Sequence, residues 1–314
     1  MQQRCPVKVA IVIGQVLITV TLFWYIAQRF DLAMTLGHIA KLAPATIVGA
    51  VAIYATQLLL VSYRLRLALR VVGGNCTLSV ALQSVLIGSF FSQTPLSILG
   101  GDMARVWVLT RDAVPVRTAA TAVTLDRVFG FLGLIFVILL ALPALWSHAT
   151  APELRAGIVI MLALAGAAPL VLLALQKMPK MARRFRLIDW IGQVSEEFHA
   201  LLRRKAMATL VLGLAVTVHF ASLITLYIFA CDVGAAITFW EICYLAPFPL
   251  LSSLLPISIG GWGIRETAMV VSFSLIAVPE AQSLTISILF GLLSLAMALP
   301  GGVVWLSGQL QART

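Results

Sequence analysis

The sequence predicts an all-α polytopic membrane protein, built as an inverted-topology repeat with six full spans and two re-entrant helical hairpins. Of its 314 residues, 61% are hydrophobic and only 11% are charged, whereas a soluble domain has about 45–50% apolar and about 25% charged residues. This composition excludes a soluble globular protein and a disordered chain. Long unbroken apolar runs, in place of alternating segments of about ten residues, favour helices over a membrane β-barrel.

Six segments reach or approach the roughly 20 apolar residues that cross the hydrocarbon core. The first of them follows Arg4 and Lys8 and is interpreted as an uncleaved span, because it is longer than the apolar region of a signal peptide and lacks a clear cleavage site. The predicted spans are 7–27, 42–63, 119–146, 156–175, 206–230 and 284–306.

Two further apolar segments, 78–118 and 239–278, are interrupted by polar residues and prolines. The first has Gln93 and Pro95 near its middle, and the second holds Arg265 and Glu266 in a back arm too short to span. Such segments are tolerated at membrane depth when they are buried in protein or line a cavity. Each is therefore predicted to enter and leave the membrane on the same side.

The net charge of +10 is interpreted as a topology signal and a source of lipid-headgroup contacts, not as a nucleic-acid surface. Most of the 22 Lys and Arg fall in segments that a cytoplasmic N-terminus places inside, above all the loop 176–205. If 78–118 crossed the membrane once, that basic loop would move outside, against the positive-inside rule. Both termini are predicted to be cytoplasmic.

The strongest signal is an internal repeat. Residues 95–105 read PLSILGGDMAR and residues 256–265 read PISIGGWGIR, so each copy has Pro-x-Ser-Ile, then Gly-Gly, then Arg four residues later. Three spans separate the copies, and an odd number of crossings gives them opposite orientations. A single transmembrane domain with pseudo-repeats 1–150 and 151–314 follows, as in many transporters. The alternative is a chance match, since Gly-Gly is common in membrane turns.

The Gly-Gly elements predict an anion site. Two glycines permit a tight reversal, and a helix is expected to begin just after them, with Asp102 as its N-cap and Arg105 in its first turn. A helix N-terminus attracts anions, and Arg adds a planar fork suited to phosphate. Arg105 and Arg265 are expected to face one central cavity. In the alternative, Arg105 pairs with Asp102 and Arg265 with Glu266, and these pairs only hold the hairpins together.

Other polar residues carry two interpretations each. Asp126 and Arg127 either provide a second headgroup contact or gate, or form an interfacial ion pair. His219 is either a hydrogen-bonded packing residue or a proton relay. Trp262 either lines the cavity or belongs to an aromatic belt. The predicted headgroup-binding residues are Asp102, Arg105, Asp126, Arg127, Arg265 and Glu266, and the predicted cavity or hairpin residues are Gln93, Gly100, Gly101, His219, Gly260, Gly261 and Trp262.

The loop 176–205 has an apolar stripe at helical spacing, formed by Leu187, Ile191, Val194, Phe198 and Leu201. Basic clusters flank the stripe, which is typical of an interfacial helix on the anionic inner leaflet; the alternative is a solvated connector. The four cysteines form no CxxC pair or metal-ligand set, and no catalytic motif is present. The sequence predicts no cofactor, no metal and no enzymatic activity.

The motifs GGDMAR, Leu125-Asp126-Arg127 and PISIGGWGIRE resemble the transmembrane region of the lysylphosphatidylglycerol synthase family, the flippase-like half of the bacterial multiple peptide resistance factor, which also occurs as stand-alone proteins. The resemblance covers essentially the whole chain. It implies a lipid-translocating fold and points to Asp102, Arg105, Arg127, Arg265 and Glu266. Because the sequence ends at Thr314 without a soluble aminoacyl-transferase domain, lysyl-lipid synthesis is not expected.

The first functional hypothesis is therefore a lipid flippase or lipid transporter of the bacterial inner membrane, with a membrane phospholipid as its partner and the headgroup in a central cavity. The second is an ion-coupled transporter of a small anionic solute. The third is a non-transporting subunit that assists an envelope-lipid enzyme. A cavity open sideways to lipid favours the first, a sealed aqueous cavity the second, and a solid hairpin interface the third.

Overall fold

The computed structural model describes residues 41–94, 97–175, 186–254 and 258–311, with scattered positions between 17 and 39, and the helices in this part of the chain are joined by short turns and loops, with no strand among the described residues. A 3-10 turn at Ile259–Gly261 lies between the ninth and tenth helices. The helices are α1 (Pro44–Val71), α2 (Leu78–Ser92), α3 (Ser97–Arg111), α4 (Val116–His148), α5 (Pro152–Leu175), α6 (Arg186–Arg203), α7 (Lys205–Val233), α8 (Phe239–Leu245), α9 (Pro247–Ser252), α10 (Ile264–Ser274) and α11 (Glu280–Gln311).

Five of these helices, α1, α4, α5, α7 and α11, are long and apolar enough to cross a membrane. They coincide with five of the six predicted spans and confirm an all-α polytopic membrane protein. Most of the remaining predicted span, 7–27, lies outside the described residues.

The two segments predicted as hairpins each consist of helical arms separated by a break. In the first segment α2 and α3 are the arms. In the second, Thr238 begins α8 with a capping box, in which Glu241 reaches back to the N-terminal N–H. Pro247 then starts α9, where its missing N–H is tolerated. Entry and exit on one side of the membrane stays a prediction.

Two helix boundaries differ from the predicted ones, so two arginines that the sequence places outside the spans lie on helices. The helix α1 continues to Val71, so Arg64 lies on a helix and not in a cytoplasmic loop. The helix α4 begins at Val116, so Arg117 belongs to α4 and not to the end of the first hairpin. A hydropathy window ends at the first charge, whereas the backbone stays helical as long as its hydrogen bonds are satisfied.

The chain divides into two compact units, each discontinuous in sequence. Unit 1 contains 1–55, 86–102 and 221–314, and unit 2 contains 56–85 and 103–220. The helices α1, α2, α3 and α7 contribute residues to both. The pseudo-repeats 1–150 and 151–314 are defined by sequence similarity and stay a prediction.

The amphipathic helix α6 packs into protein, which corrects the interpretation of its stripe as a lipid-facing surface. Val194, Phe198 and Leu201 are at most 2% exposed and belong to the core of unit 2. The Phe198 ring packs edge-on against Phe129 of α4 at 5.7 Å, and the Ser195 hydroxyl donates to the Leu172 carbonyl at the end of α5. A helical stripe reports that a face is apolar, but not whether lipid or protein covers it. Lys180, Arg183 and Arg184 lie outside the described residues.

Candidate functional site

Five charged side chains are buried among the residues that the structure describes, and they form two clusters. Arg64, Arg105 and Asp126 lie in unit 2, whereas Arg265 and Glu266 lie in unit 1. Buried charges are expensive unless paired and are rare in membrane-spanning segments, where they mark functional sites by default. These clusters are therefore the candidate site.

In unit 2, two guanidinium groups share one carboxylate. Arg64 Nε donates to Asp126 Oδ1 at 2.7 Å, and Arg105 Nη1 donates to Asp126 Oδ2 at 3.3 Å. The Asp126 side chain has no exposed surface, and each arginine side chain is 7% exposed. Three separate helices, α1, α3 and α4, supply the three residues, so the cluster exists only in the folded protein.

A glycine makes room for Arg64 in this cluster. A Cβ at Gly130, one turn beyond Asp126 on α4, would lie 3.3 Å from Arg64 Nη2. The Gly130 carbonyl accepts a hydrogen bond from His219 Nε2 at 3.0 Å. His219 thus forms a hydrogen bond to α4 beside the cluster, and which of its two interpretations holds stays a prediction.

Arginines outnumber carboxylates among the three residues of the unit 2 cluster. Arg64 and Arg105 carry two positive charges, and Asp126 carries one negative charge. Arg127, the next residue in the chain after Asp126, is half-buried. Electrostatic attraction is much stronger in a low-dielectric interior than in water. Two guanidinium groups held side by side in such an interior therefore attract an anion strongly.

In unit 1, Arg265 and Glu266 form a balanced pair. Arg265 Nη2 donates to Glu266 Oε1 at 2.5 Å, and both residues contact the Ser287 hydroxyl of α11, at 3.2 and 3.1 Å. The other carboxylate oxygen of Glu266 accepts a hydrogen bond from the Gly263 N–H at 2.5 Å and so caps the N-terminus of α10. The pairing of Arg265 with Glu266 matches the structural alternative stated from the sequence.

Aromatic rings and a glycine enclose the Arg265 guanidinium. Its Cζ lies 5.0 Å from the centre of the Trp262 ring and 5.8 Å from that of Phe290, within the range of cation–π attraction. A Cβ at Gly291 would lie 2.2 Å from Arg265 Nη2. Trp262 is thus a stacking partner of Arg265.

A neutral polar network lies on the same helix as Ser287. The hydroxyl of Ser294 on α11 accepts from Gln93 Nε2 and from the Tyr54 hydroxyl, each at 3.2 Å. Gln93 also approaches the second Gly-Gly turn, because a Cβ at Gly260 would lie 2.7 Å from its Oε1. Gln93, two residues before the first copy of the repeat, therefore lies beside the second copy within unit 1.

The two Gly-Gly elements adopt different conformations, which corrects the expectation for the first. Gly100 and Gly101 lie inside α3, so Asp102 is not its N-cap and no helix begins there. In the second copy, Gly260, Gly261 and Gly263 all have positive φ, and α10 begins at Ile264 as expected. The position equivalent to Gly263 is Met103, whose side chain disfavours positive φ.

The copies nevertheless share one packing feature. A Cβ at Gly101 would lie 2.0 Å from the Ser92 hydroxyl, and a Cβ at Gly261 would lie 2.7 Å from Ser253 Cβ. Each serine is three residues before the proline of its copy, and each glycine is the second of its pair. In both copies, then, the glycine allows the back arm to approach the front arm closely.

The sequence analysis does not anticipate the contact of Arg105 with Asp126, and it misses two further residues of the clusters. Arg105 pairs with Asp126 across helices, and its pairing with Asp102, which is half-buried one turn earlier, stays a prediction. Arg64 was counted as a topology signal, and Ser287 was not singled out. Arg64 directly follows the apolar run of the second predicted span. This position is the sequence feature that could have identified it.

Together, the fold and the buried clusters define a polytopic helical membrane protein with arginine–carboxylate sites inside its helical units. The family model "Lysylphosphatidylglycerol synthase TM region" matches residues 11–302, and the chain belongs to this family. A comparison with curated proteins finds no match. The family and the spanning helices make this a lipid-related membrane protein.

Proposed function

We propose that the protein is a lipid flippase of the bacterial inner membrane and that its unit 2 cluster binds the phosphate of a lipid headgroup during translocation. The acyl chains stay in the bilayer while the polar headgroup contacts buried side chains. Both termini are assigned to the cytoplasm, in keeping with the distribution of Lys and Arg in the sequence.

The observation that carries this proposal is the sharing of Asp126 by Arg64 and Arg105. Each guanidinium has five N–H donors in a rigid fork, and each donates a hydrogen bond to Asp126. A phosphate oxygen arriving between them would gain charge-assisted hydrogen bonds from both. Asp126 keeps the two arginines in place before the lipid arrives.

The unit 1 cluster is assigned a different step of the same process. Arg265 is engaged by Glu266, Ser287 and Trp262, so it meets a phosphate only if its contact with Glu266 opens. We assign Arg265 and Glu266 to a later contact with the headgroup. This contact is reversible because Glu266 can pair with Arg265 again when the phosphate leaves. Whether Arg105 and Arg265 face one cavity stays a prediction.

The test is lipid translocation in reconstituted vesicles. Arg64→Lys and Arg105→Lys keep the charge but lose the fork, so each should slow translocation of a labelled phospholipid about ten- to a hundredfold, given about 1.5–3 kcal/mol per charge-assisted hydrogen bond. Arg70→Lys is the matched control, because Arg70 is exposed in the last turn of the same helix as Arg64.

Mass spectrometry of co-purified lipids gives a second readout. Phospholipid should be retained by the wild type and depleted in Arg64→Lys and Arg105→Lys. Full translocation by both folded variants would exclude the phosphate role. Uptake of a small anion without any lipid movement would point instead to a solute transporter.

A further inference from the structure

A groove of about 480 Å³ opens at the start of α4, on the surface of unit 2. It is lined by Val116, Arg117 and Ala120 of α4 and by Asp189 and Trp190 of α6. None of these residues belongs to either buried cluster, and the proposed flippase mechanism does not use them.

The length of α4 predicts that this groove lies at the level of the lipid headgroups. The helix has 33 residues and is about 50 Å long, whereas the hydrocarbon core is about 30 Å thick. Its longest uncharged stretch is 128–147, so the first turns, which contain Val116 and Arg117, are expected to extend beyond the apolar layer. Val116 is 66% exposed at this end.

The groove presents a cation and an anion side by side. Arg117 donates from Nη2 to Asp189 Oδ2 and from Nε to Gln193 Oε1. The two charged side chains remain 52% and 39% exposed, respectively. Both charges can therefore be reached from outside the protein.

Trp190 is held in place as one wall of the groove. Its indole N–H donates to the Thr121 hydroxyl at 3.2 Å, which fixes the ring beside Asp189. Tryptophan is enriched at membrane interfaces, and its face attracts cations such as ammonium groups.

We propose that this groove binds the headgroup of a zwitterionic phospholipid that carries a primary ammonium. The phosphate takes the guanidinium fork of Arg117, and the ammonium donates to Asp189 and lies against Trp190. The glycerol end and the start of an acyl chain follow Val116 and Ala120 toward the bilayer. A lipid with both charges replaces the Arg117–Asp189 contact with two charge-assisted contacts, which an anionic lipid cannot do.

The groove is separate from the unit 2 cluster. Arg117 and Asp126 are nine residues apart on α4, which is two and a half turns. They therefore project from opposite faces of the helix, about 13 Å apart along its axis. The proposal requires insertion in a membrane, but it does not rest on translocation, and a binding assay tests it independently.

The experiment titrates the purified full-length protein in detergent with dihexanoylphosphatidylethanolamine and follows tryptophan fluorescence. Trp190→Phe identifies the signal that comes from the groove. We expect saturable binding that Arg117→Gln or Asp189→Asn each weakens at least about tenfold. Arg111→Gln is the matched control, since Arg111 is exposed and stacks on Trp107 outside the groove; it should bind as the wild type does.

Three further titrations decide the ligand chemistry. Dihexanoyl phosphatidylcholine, which has no ammonium hydrogen, and phosphatidylglycerol, which has no ammonium, should each bind at least about tenfold more weakly. Soluble phosphoethanolamine should also bind more weakly, because it lacks the apolar part. Equal binding of phosphatidylglycerol, or equal binding of phosphoethanolamine, would overturn the zwitterionic lipid site. Unchanged binding in both charge variants would also overturn the site. If a variant fails to fold, the preference of the wild-type protein among the four ligands still decides the question.

Discussion

Arg64 and Asp126, 62 residues apart in the chain, form a buried hydrogen-bonded ion pair at 2.7 Å, and Arg105 binds the other oxygen of the same carboxylate. This relationship makes Asp126 the centre of the candidate site. In the proposed mechanism, an anion that enters the cluster meets two guanidinium groups that Asp126 already holds in place.

Replacing Asp126 should destabilise the protein. Asp126→Asn leaves two buried guanidinium groups facing one neutral amide, and breaking a buried ion pair costs about 3–5 kcal/mol. We expect a lower midpoint of thermal unfolding in detergent. Asp112→Asn, at an exposed aspartate after α3, should leave the midpoint unchanged. An unaltered midpoint for Asp126→Asn would mean that the carboxylate is not needed to balance the arginines.

The unit 1 pair should show a split between folding and transport. Arg265→Lys keeps the charge but loses the guanidinium that contacts Glu266 and Ser287 and stacks on Trp262. We expect a roughly ten- to a hundredfold loss of lipid translocation in vesicles, while size-exclusion chromatography shows a folded protein. Arg155→Lys, an arginine that also stacks on a tryptophan, is the control and should transport normally. Wild-type rates for Arg265→Lys would remove Arg265 from the translocation pathway.

The close packing of the first hairpin should depend on Gly101. A methyl group there would meet the Ser92 hydroxyl and the Gly88 carbonyl at 2.0 and 2.7 Å, and such overpacking costs about 1–3 kcal/mol. Gly101→Ala should therefore lower the unfolding midpoint. Gly213→Ala is the control, because nothing lies within 4 Å of its added Cβ. If Ser92→Ala restores none of the loss in a double variant, the hydroxyl contact is not responsible.

Burial of α6 in protein gives a stability prediction. Phe198→Ala should cost about 3–5 kcal/mol, as is usual for a buried phenylalanine, and should make the 186–203 segment sensitive to protease. Leu202→Ala is the control, because Leu202 is 38% exposed on the same helix. Equal stability of the two variants would favour a helix that lies on lipid.

The orientation of the chain can be tested at α6. Glu196 is exposed, so Glu196→Cys on a cysteine-free background gives an accessible thiol. The positive-inside rule predicts that an impermeant reagent labels this cysteine in inverted vesicles but not in intact cells. Labelling in intact cells would reverse the topology.

The spanning helices could be predicted from the sequence because about 20 apolar residues in a row have few other solutions than to cross a membrane. The two segments interrupted by proline and glycine were also predicted to form helical arms. The structure contains these arms as α2 and α3 in the first segment and α8 to α10 in the second. The ends of α1 and α4 were predicted less well, because a charge such as Arg64 ends an apolar run without ending a helix.

The sequence by itself determined the class of protein, five spanning helices and most of the candidate charges, since these follow from local composition and spacing. Only the tertiary structure decided the partners: Asp126 with Arg64 and Arg105, Arg265 with Ser287, and the apolar stripe of α6 with the core of unit 2. It also decided that Gly100–Gly101 is helical, whereas Gly260–Gly261 forms a turn. The physical reason is that an ion pair or a buried face depends on which helices pack together, and residues 21 or 62 positions apart carry no local record of that packing.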